Sequence, residues 1–223
     1  MITKEEFEEY CRTNNLRYKF KHEDYHEEFV LKYNWNLNNL FCMLCRYGYI
    51  ETLKWILTLG EINIHENEEK AFITSCDNGH IEVAKLLIEI SKERGEIINI
   101  HEHDDEAFRW SCMHGYLEIA KWLIEISKEN GKINIHADNE NAFRLSCSNG
   151  KIEVAKWLIE ISKENKEMIN IHINNEEAFK HSCINGKIEV VKWLCSLYDD
   201  YYIEIKNNKI VKYGVKNIYE RYM

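Results

Sequence analysis

The pentapeptide His22-Glu23-Asp24-Tyr25-His26 is the sharpest chemical signal in the chain. Two histidines one helical turn apart can bind zinc while the glutamate activates a water, the H-E-x-x-H arrangement of zinc proteases. That chemistry needs a buried helix, a third ligand and a cleft. Here the pentapeptide sits between Lys19-Phe20-Lys21 and Glu27-Glu28, a polar setting that reads as a solvated turn, so a zinc-dependent hydrolase stands only as an alternative. Cys42 and Cys45 form a lone C-x-x-C with no second pair, which favours core packing over metal binding. Four further cysteines (Cys76, Cys112, Cys147, Cys183) and four histidines (His65, His101, His136, His172) recur at regular spacing and raise the idea of a redox ladder or a metal site. No G-x-G-x-x-G, Walker A or G-x-S-x-G pattern is present. The expectation is a protein that is no enzyme and holds no cofactor and no metal.

Bulk composition narrows the classes further. The 223 residues are 45% hydrophobic and 30% charged, a globular profile, with 29 Lys plus Arg against 38 Asp plus Glu for a net charge of −9. That charge repels a phosphate backbone, so no nucleic-acid partner is expected. No apolar run approaches the roughly 18 to 20 residues of a membrane span, and Met1-Ile2-Thr3-Lys4-Glu5-Glu6 has no signal-peptide core. A soluble intracellular monomer is expected, with its eight cysteines reduced. Proline is absent where roughly eleven would be usual, which argues against Pro-rich linkers and tails.

The regular spacing is the organising fact. Cys76, Cys112, Cys147 and Cys183 are 36, 35 and 36 residues apart, and each stands three residues before a glycine. The Ala-Phe pairs at 71, 107, 142 and 178 and the Asn-Ile-His triplets at 63, 99, 134 and 170 keep the same register. A period in this range marks a stacked-repeat architecture. Within one unit, Ala107 to Met113 fits a short helix closed by a left-handed glycine cap. Leu117, Ile119, Ala120, Leu123 and Ile124 then line one face of a second helix, and Ile133-Asn134-Ile135-His136 reads as an extended finger leading onward. Equivalent side chains of stacked repeats lie about 10 Å apart, beyond the roughly 7 Å Cα reach of a disulfide. The recurrent cysteines are therefore read as small buried packing residues. The histidines, one per unit, cannot converge on one ion and are read as finger hydrogen-bonding groups. Trp55, Trp122, Trp157 and Trp193 share a second-helix position and are expected in the inter-repeat core or along a partly exposed groove wall.

The block Asn149-Gly150-Lys151-Ile152-Glu153-Val154-Ala155-Lys156-Trp157-Leu158-Ile159 resembles the second-helix signature of ankyrin repeats, and Ser146-Cys147 falls where that family has two alanines. The resemblance runs from about 35 to 197 in five units. It implies an all-α ankyrin-repeat solenoid of helix-turn-helix units with short fingers. The family's opening Thr-Pro-Leu-His is replaced by sequences such as Glu106-Ala107-Phe108-Arg109, so Ala71, Ala107, Ala142 and Ala178 stand where its helix-opening proline would be. The second helix is expected to be about one turn longer than usual, through Ile-Ser-Lys-Glu, in the second, third and fourth units, and the first unit lacks this turn. The text also resembles the ankyrin proteins of giant amoeba viruses, a viral protein in host cytoplasm, in keeping with an AT-rich genome.

The units are placed at 35–65, 66–101, 102–136, 137–172 and 173–198, between an N-terminal cap at 1–34 and a C-terminal cap at 199–223. In the first cap Phe7, Tyr10 and Cys11 form a helical stripe, residues 16–21 alternate like a strand, and Phe29, Val30 and Tyr33 suggest another helix. In the second, 201–205 and 209–213 flank Lys206-Asn207-Asn208 as a β-hairpin, followed by Val215, Ile218, Tyr219 and Tyr222 on a short helix. The family resemblance implies a non-enzymatic scaffold that binds a protein partner on a concave surface of fingers and first helices. The positions that vary between units mark that surface: Glu66, Asn67, Glu69, Ile73 and Asp77; His103, Asp105, Arg109, Trp110, Met113 and His114; Asp138, Glu140, Arg144 and Ser148; Asn174, Glu176, Lys180 and Ile184. It should carry an acidic ridge beside a row of Arg109, Arg144 and Lys180, with Trp110 and Met113 as apolar anchor. The resemblance also makes Asn63, Asn99, Asn134 and Asn170 candidates for hydroxylation. Adaptor work for a ubiquitin ligase is a further variant, although residues 201–223 show no F-box-like Pro and Leu pattern.

Overall fold

The computed structural model describes residues 4–13, 37–129 and 131–216. The His22 to His26 pentapeptide, the other elements read in 14–36, the Phe7 side chain, and Ile218, Tyr219 and Tyr222 lie outside the described residues. The described chain has eleven helices and one two-stranded sheet, in two compact units, Met1–Ala107 and Phe108–Met223.

The first unit holds α1 (Lys4–Thr13), α2 (Leu37–Tyr47), α3 (Ile50–Ile56), α4 (Glu66–Asp77) and α5 (Ile81–Glu93), and the start of α6 (Glu102–His114). Its core is Phe41, Leu44, Cys45, Leu53, Phe72, Cys76 and Leu87, each fully buried. A phenylalanine buried in this way contributes about 2–3 kcal/mol of transfer free energy. From α1, Cys11 is buried and the Tyr10 ring stacks on Trp55 with centroids 3.7 Å apart and planes 5° apart.

The second unit holds the end of α6, then α7 (Leu117–Ser127), α8 (Ala137–Ser148), α9 (Ile152–Glu164), α10 (Ile173–Ile184), α11 (Ile188–Leu197) and the strands β1 (Tyr201–Lys206) and β2 (Lys209–Val215). Each first helix sends its Phe and Cys into the core: Phe108 and Cys112, Phe143 and Cys147, Phe179 and Cys183 are all buried. The following unit's tryptophan meets that phenylalanine, Trp157 on Phe108 and Trp193 on Phe143, both at 6.3 Å between ring centroids. Cross-unit hydrogen bonds join the helices as well. The Ser146 hydroxyl donates to the Cys112 carbonyl at 3.1 Å and the Asn185 amide to the Ser148 carbonyl at 2.9 Å. Gly115 and Gly150 close their first helices at φ +84° and +77°. A Cβ there would also press the side chains of Lys151 and Lys187, at 2.8 and 3.0 Å, so the glycines serve both the turn and the stacking.

The second helices run 13, 11 and 13 residues at α5, α7 and α9 against seven at α3, so the extra turn is present where Ile-Ser-Lys-Glu occurs and absent from the first pair. The serine of that turn is buried each time, at Ser91, Ser127 and Ser162. The hairpin turn is one residue tighter than the sequence suggested, and Val215, expected on the following helix, instead ends β2 opposite Tyr201. Lys206 pairs with Lys209, leaving Asn207 and Asn208 at φ 50° and 58°, the two left-handed positions of a type I′ turn.

Candidate functional site

The finger turns are built from a local circuit that repeats four times. Asn63 accepts the His65 backbone N–H on its side-chain oxygen at 3.0 Å, and Asn99, Asn134 and Asn170 do the same for His101, His136 and His172 at 3.0 to 3.1 Å. This Asx turn sets the chain for three successive residues in the left-handed region: 67–69, 103–105, 138–140 and 174–176, with φ between 50° and 65°. Left-handed backbone costs roughly 1–2 kcal/mol per non-glycine residue, least for Asn and Asp, so the turn needs compensation. It comes from a backbone bond across the turn, as from Glu140 N–H to the His136 carbonyl at 3.2 Å. It also comes from the imidazole at its start, whose Nδ1 lies 2.6 to 3.0 Å from the carboxylate at its end: His65 and Glu69, His101 and Asp105, His136 and Glu140, His172 and Glu176.

The same carboxylates reach beyond their own finger. Glu69 accepts the Asn99 backbone N–H at 3.1 Å and Glu140 that of Asn170 at 3.1 Å. His65 uses its second ring nitrogen as well, 3.1 Å from Glu96. Burial disfavours its charged form, but the two carboxylates outweigh that and hold its pKa above the ordinary 6.5.

These contacts withdraw four carboxylates from the expected acidic ridge, while Glu68, Asp104 and Asp138 stay exposed on the fingers. Glu69, Asp105 and Glu140 are buried and Glu176 is mostly so, because a carboxylate that closes a left-handed turn must point inward. The cationic row changes too. Arg144 is buried, donating from Nε to the Asn139 carbonyl at 2.7 Å and from a terminal nitrogen to that of Asp138 at 3.0 Å while pairing with Glu177. It braces the finger and is withdrawn from a partner. Ser148 is buried as well, its hydroxyl bonded to the Leu145 carbonyl at 3.1 Å. Arg109 approaches Asp138 at 3.6 Å.

The remaining positions keep surface. Asn67, His103, Asp138 and Asn174 are exposed; Glu66, Ile73, Asp77, Lys180, Met113 and His114 are half-buried; Ile184 is 65% exposed. His103 pairs with Glu68 at 3.0 Å and Asn174 donates to Glu177 at 2.9 Å. Trp110 is half-buried and faces the His114 ring at 6.4 Å, with Tyr116 beyond at 6.1 Å, an aromatic row on the first-helix side of the second unit. The finger asparagines are exposed.

Eight free thiols are present and no disulfide. Desolvation holds the Cys76, Cys112 and Cys147 thiols far above their ordinary range, and Cys42 up to about 11, so none is a ready thiolate. Among the described residues no group of three or more His, Cys, Asp or Glu is placed to hold a metal ion, and no helix is long and apolar enough to cross a membrane.

The sequence pattern of ankyrin repeats (3 copies) matches residues 41–135 and 112–209, well over half of the chain. The chain belongs to the ankyrin repeat family. No curated protein matches it as a relative. In this ankyrin protein the His to carboxylate pair four residues apart closes each finger turn. That pairing was visible as a fourfold i, i+4 spacing, but its meaning depended on the left-handed turn that brings the two ends together. Tyr201, Glu177 and Arg144 carried no such signal, since their partners are distant in sequence.

Proposed function

We propose that this ankyrin repeat protein is a non-enzymatic scaffold that docks a protein partner on the first-helix side of its second unit. One observation carries the reading. The residues that repeat identically there, Ser111, Ser146 and Ser182 with Cys112, Cys147 and Cys183, are buried, whereas flanking positions that differ in type, Trp110, Leu145 and His181 with Met113 and Ile184, reach the surface. A frame with variable outward side chains suits recognition, and a half-buried tryptophan is the kind of residue that anchors an interface. Ankyrin repeats typically mediate protein contacts, which supports the same conclusion.

The bias toward Asn, Ile, Lys and Tyr without proline supports a viral source, and with it a role on host or viral proteins inside the host cytoplasm. The exposed Asn63, Asn99, Asn134 and Asn170 are proposed acceptors of hydroxylation, which peptide mass spectrometry after coexpression with an asparaginyl oxygenase would reveal.

The test is photo-crosslinking capture in the source cell with a reactive group at Met113, repeated for Trp110→Ala/Ile184→Ser. A partner held by this surface should lose about 30-fold in affinity, the equivalent of roughly 2 kcal/mol at a central aromatic. Equal recovery by the folded double variant overturns the surface.

A further inference from the structure

The hairpin after the last helix is chemically unlike the rest of the chain. The whole protein carries −9, yet residues 201–216 hold four lysines (Lys206, Lys209, Lys212, Lys216) and one acid, Glu204. Glu204 is taken by Lys206 at 2.7 Å, and Lys216 donates to the Asp199 carbonyl at 2.8 Å. Lys212 lies 5.9 Å from the centre of the Tyr202 ring. Among the described residues Lys209 and Lys212 pair with no carboxylate, so the hairpin offers uncompensated positive charge.

The same hairpin has an open edge. Its sheet consists of β1 and β2 alone, and no residue from 209 to 215 makes a backbone bond to anything but β1 among the described residues. On β2, Val211 is 52% exposed at the irregularity in register after Glu204 and Val215 is also exposed, while the Tyr213 ring turns toward Phe179, at 6.2 Å between centroids. Unpaired apolar edges invite strand addition, and lysines on an edge restrain which strands can add.

We propose that the outer edge of β2 is a docking strand for an extended acidic peptide of a protein partner, which adds as a third strand with its carboxylates toward Lys209 and Lys212. Backbone groups supply affinity and the alternate side chains supply selectivity, as in other strand additions. A polynucleotide fits less well: the chain as a whole repels it, and a phosphate backbone cannot satisfy the peptide groups of an edge strand. The inference uses none of the residues of the first-helix surface and stands or falls separately from it.

The experiment is fluorescence anisotropy of the full chain with a labelled peptide of about ten residues alternating Glu with Val. Binding should weaken as salt rises, and Lys209→Glu/Lys212→Glu should cost about tenfold or more in Kd. The same peptide methylated on alternate backbone nitrogens should lose affinity for the unaltered protein by a similar factor, because its charge is kept while its edge bonds are not. That second arm is independent of how the variant folds. Equal binding of a Lys-for-Glu peptide, indifference to methylation, or an oligothymidine of equal charge binding as tightly would each overturn the proposal.

Discussion

The phenol of Tyr201 donates its proton to the carboxylate of Glu176, in the role that the next finger's backbone N–H plays for Glu69 and Glu140. Burial first, and then the negative charge of Glu176, push the phenol far above its ordinary pKa, so it stays a donor. Its ring also stacks on Phe179 at 4.1 Å and 5°, on the first-helix phenylalanine that the next unit's tryptophan covers at Phe108 and Phe143. One side chain of the hairpin thus supplies to the last helix pair the two contacts that a following repeat supplies to earlier ones.

Tyr201→Phe keeps the stacked ring and loses the donor. Its expected cost is about 1.5–3 kcal/mol, the range for a hydrogen bond to a charged group. Tyr201→Ala also opens a cavity and should cost about 3–5 kcal/mol. Urea unfolding of the three proteins orders them; equal stability of wild type and Tyr201→Phe would remove the capping role of the hydroxyl.

Glu140→Ala leaves the His136 ring and the Asn170 N–H without their acceptor, and should destabilise by about 2–3 kcal/mol. Glu68→Ala, one left-handed position earlier in the first unit but exposed, should stay within about 0.5 kcal/mol. Chemical denaturation of both variants checks the contrast between a carboxylate that closes a finger and one that decorates it.

His65 gives a pH dependence with a definite sign. Its folded pKa lies above 6.5, so its contribution is complete below the unfolded value and is lost as pH rises through the folded one. The stability of wild type relative to His65→Gln should therefore be larger at mildly acid than at alkaline pH. An imidazole titration followed by NMR that places His65 at or below 6.5 contradicts this.

The buried thiols should report on unfolding. Cys112 and Cys147 are fully buried with raised pKa values, so native-state labelling by a thiol reagent should proceed at the rate set by opening of the second unit. Labelling that ignores denaturant would show local access instead.

The period, the helix pairs, the lengthened second helices and the Phe and Cys core were all legible in the sequence, because each depends on spacing within about one unit and recurs often enough to be compared with itself. The alanines at 71, 107, 142 and 178, standing where the family has proline, were legible for the same reason. The fate of the charged side chains was decided by the tertiary structure. Glu69, Asp105, Glu140 and Arg144 look like surface residues by type, and nothing in their neighbours says otherwise. A carboxylate turns inward only once three left-handed residues have brought it against an imidazole and, at Glu69 and Glu140, against an amide of the following finger about thirty residues away in sequence. Partners that far apart leave no periodic trace, and the same holds for Tyr201 reaching Glu176.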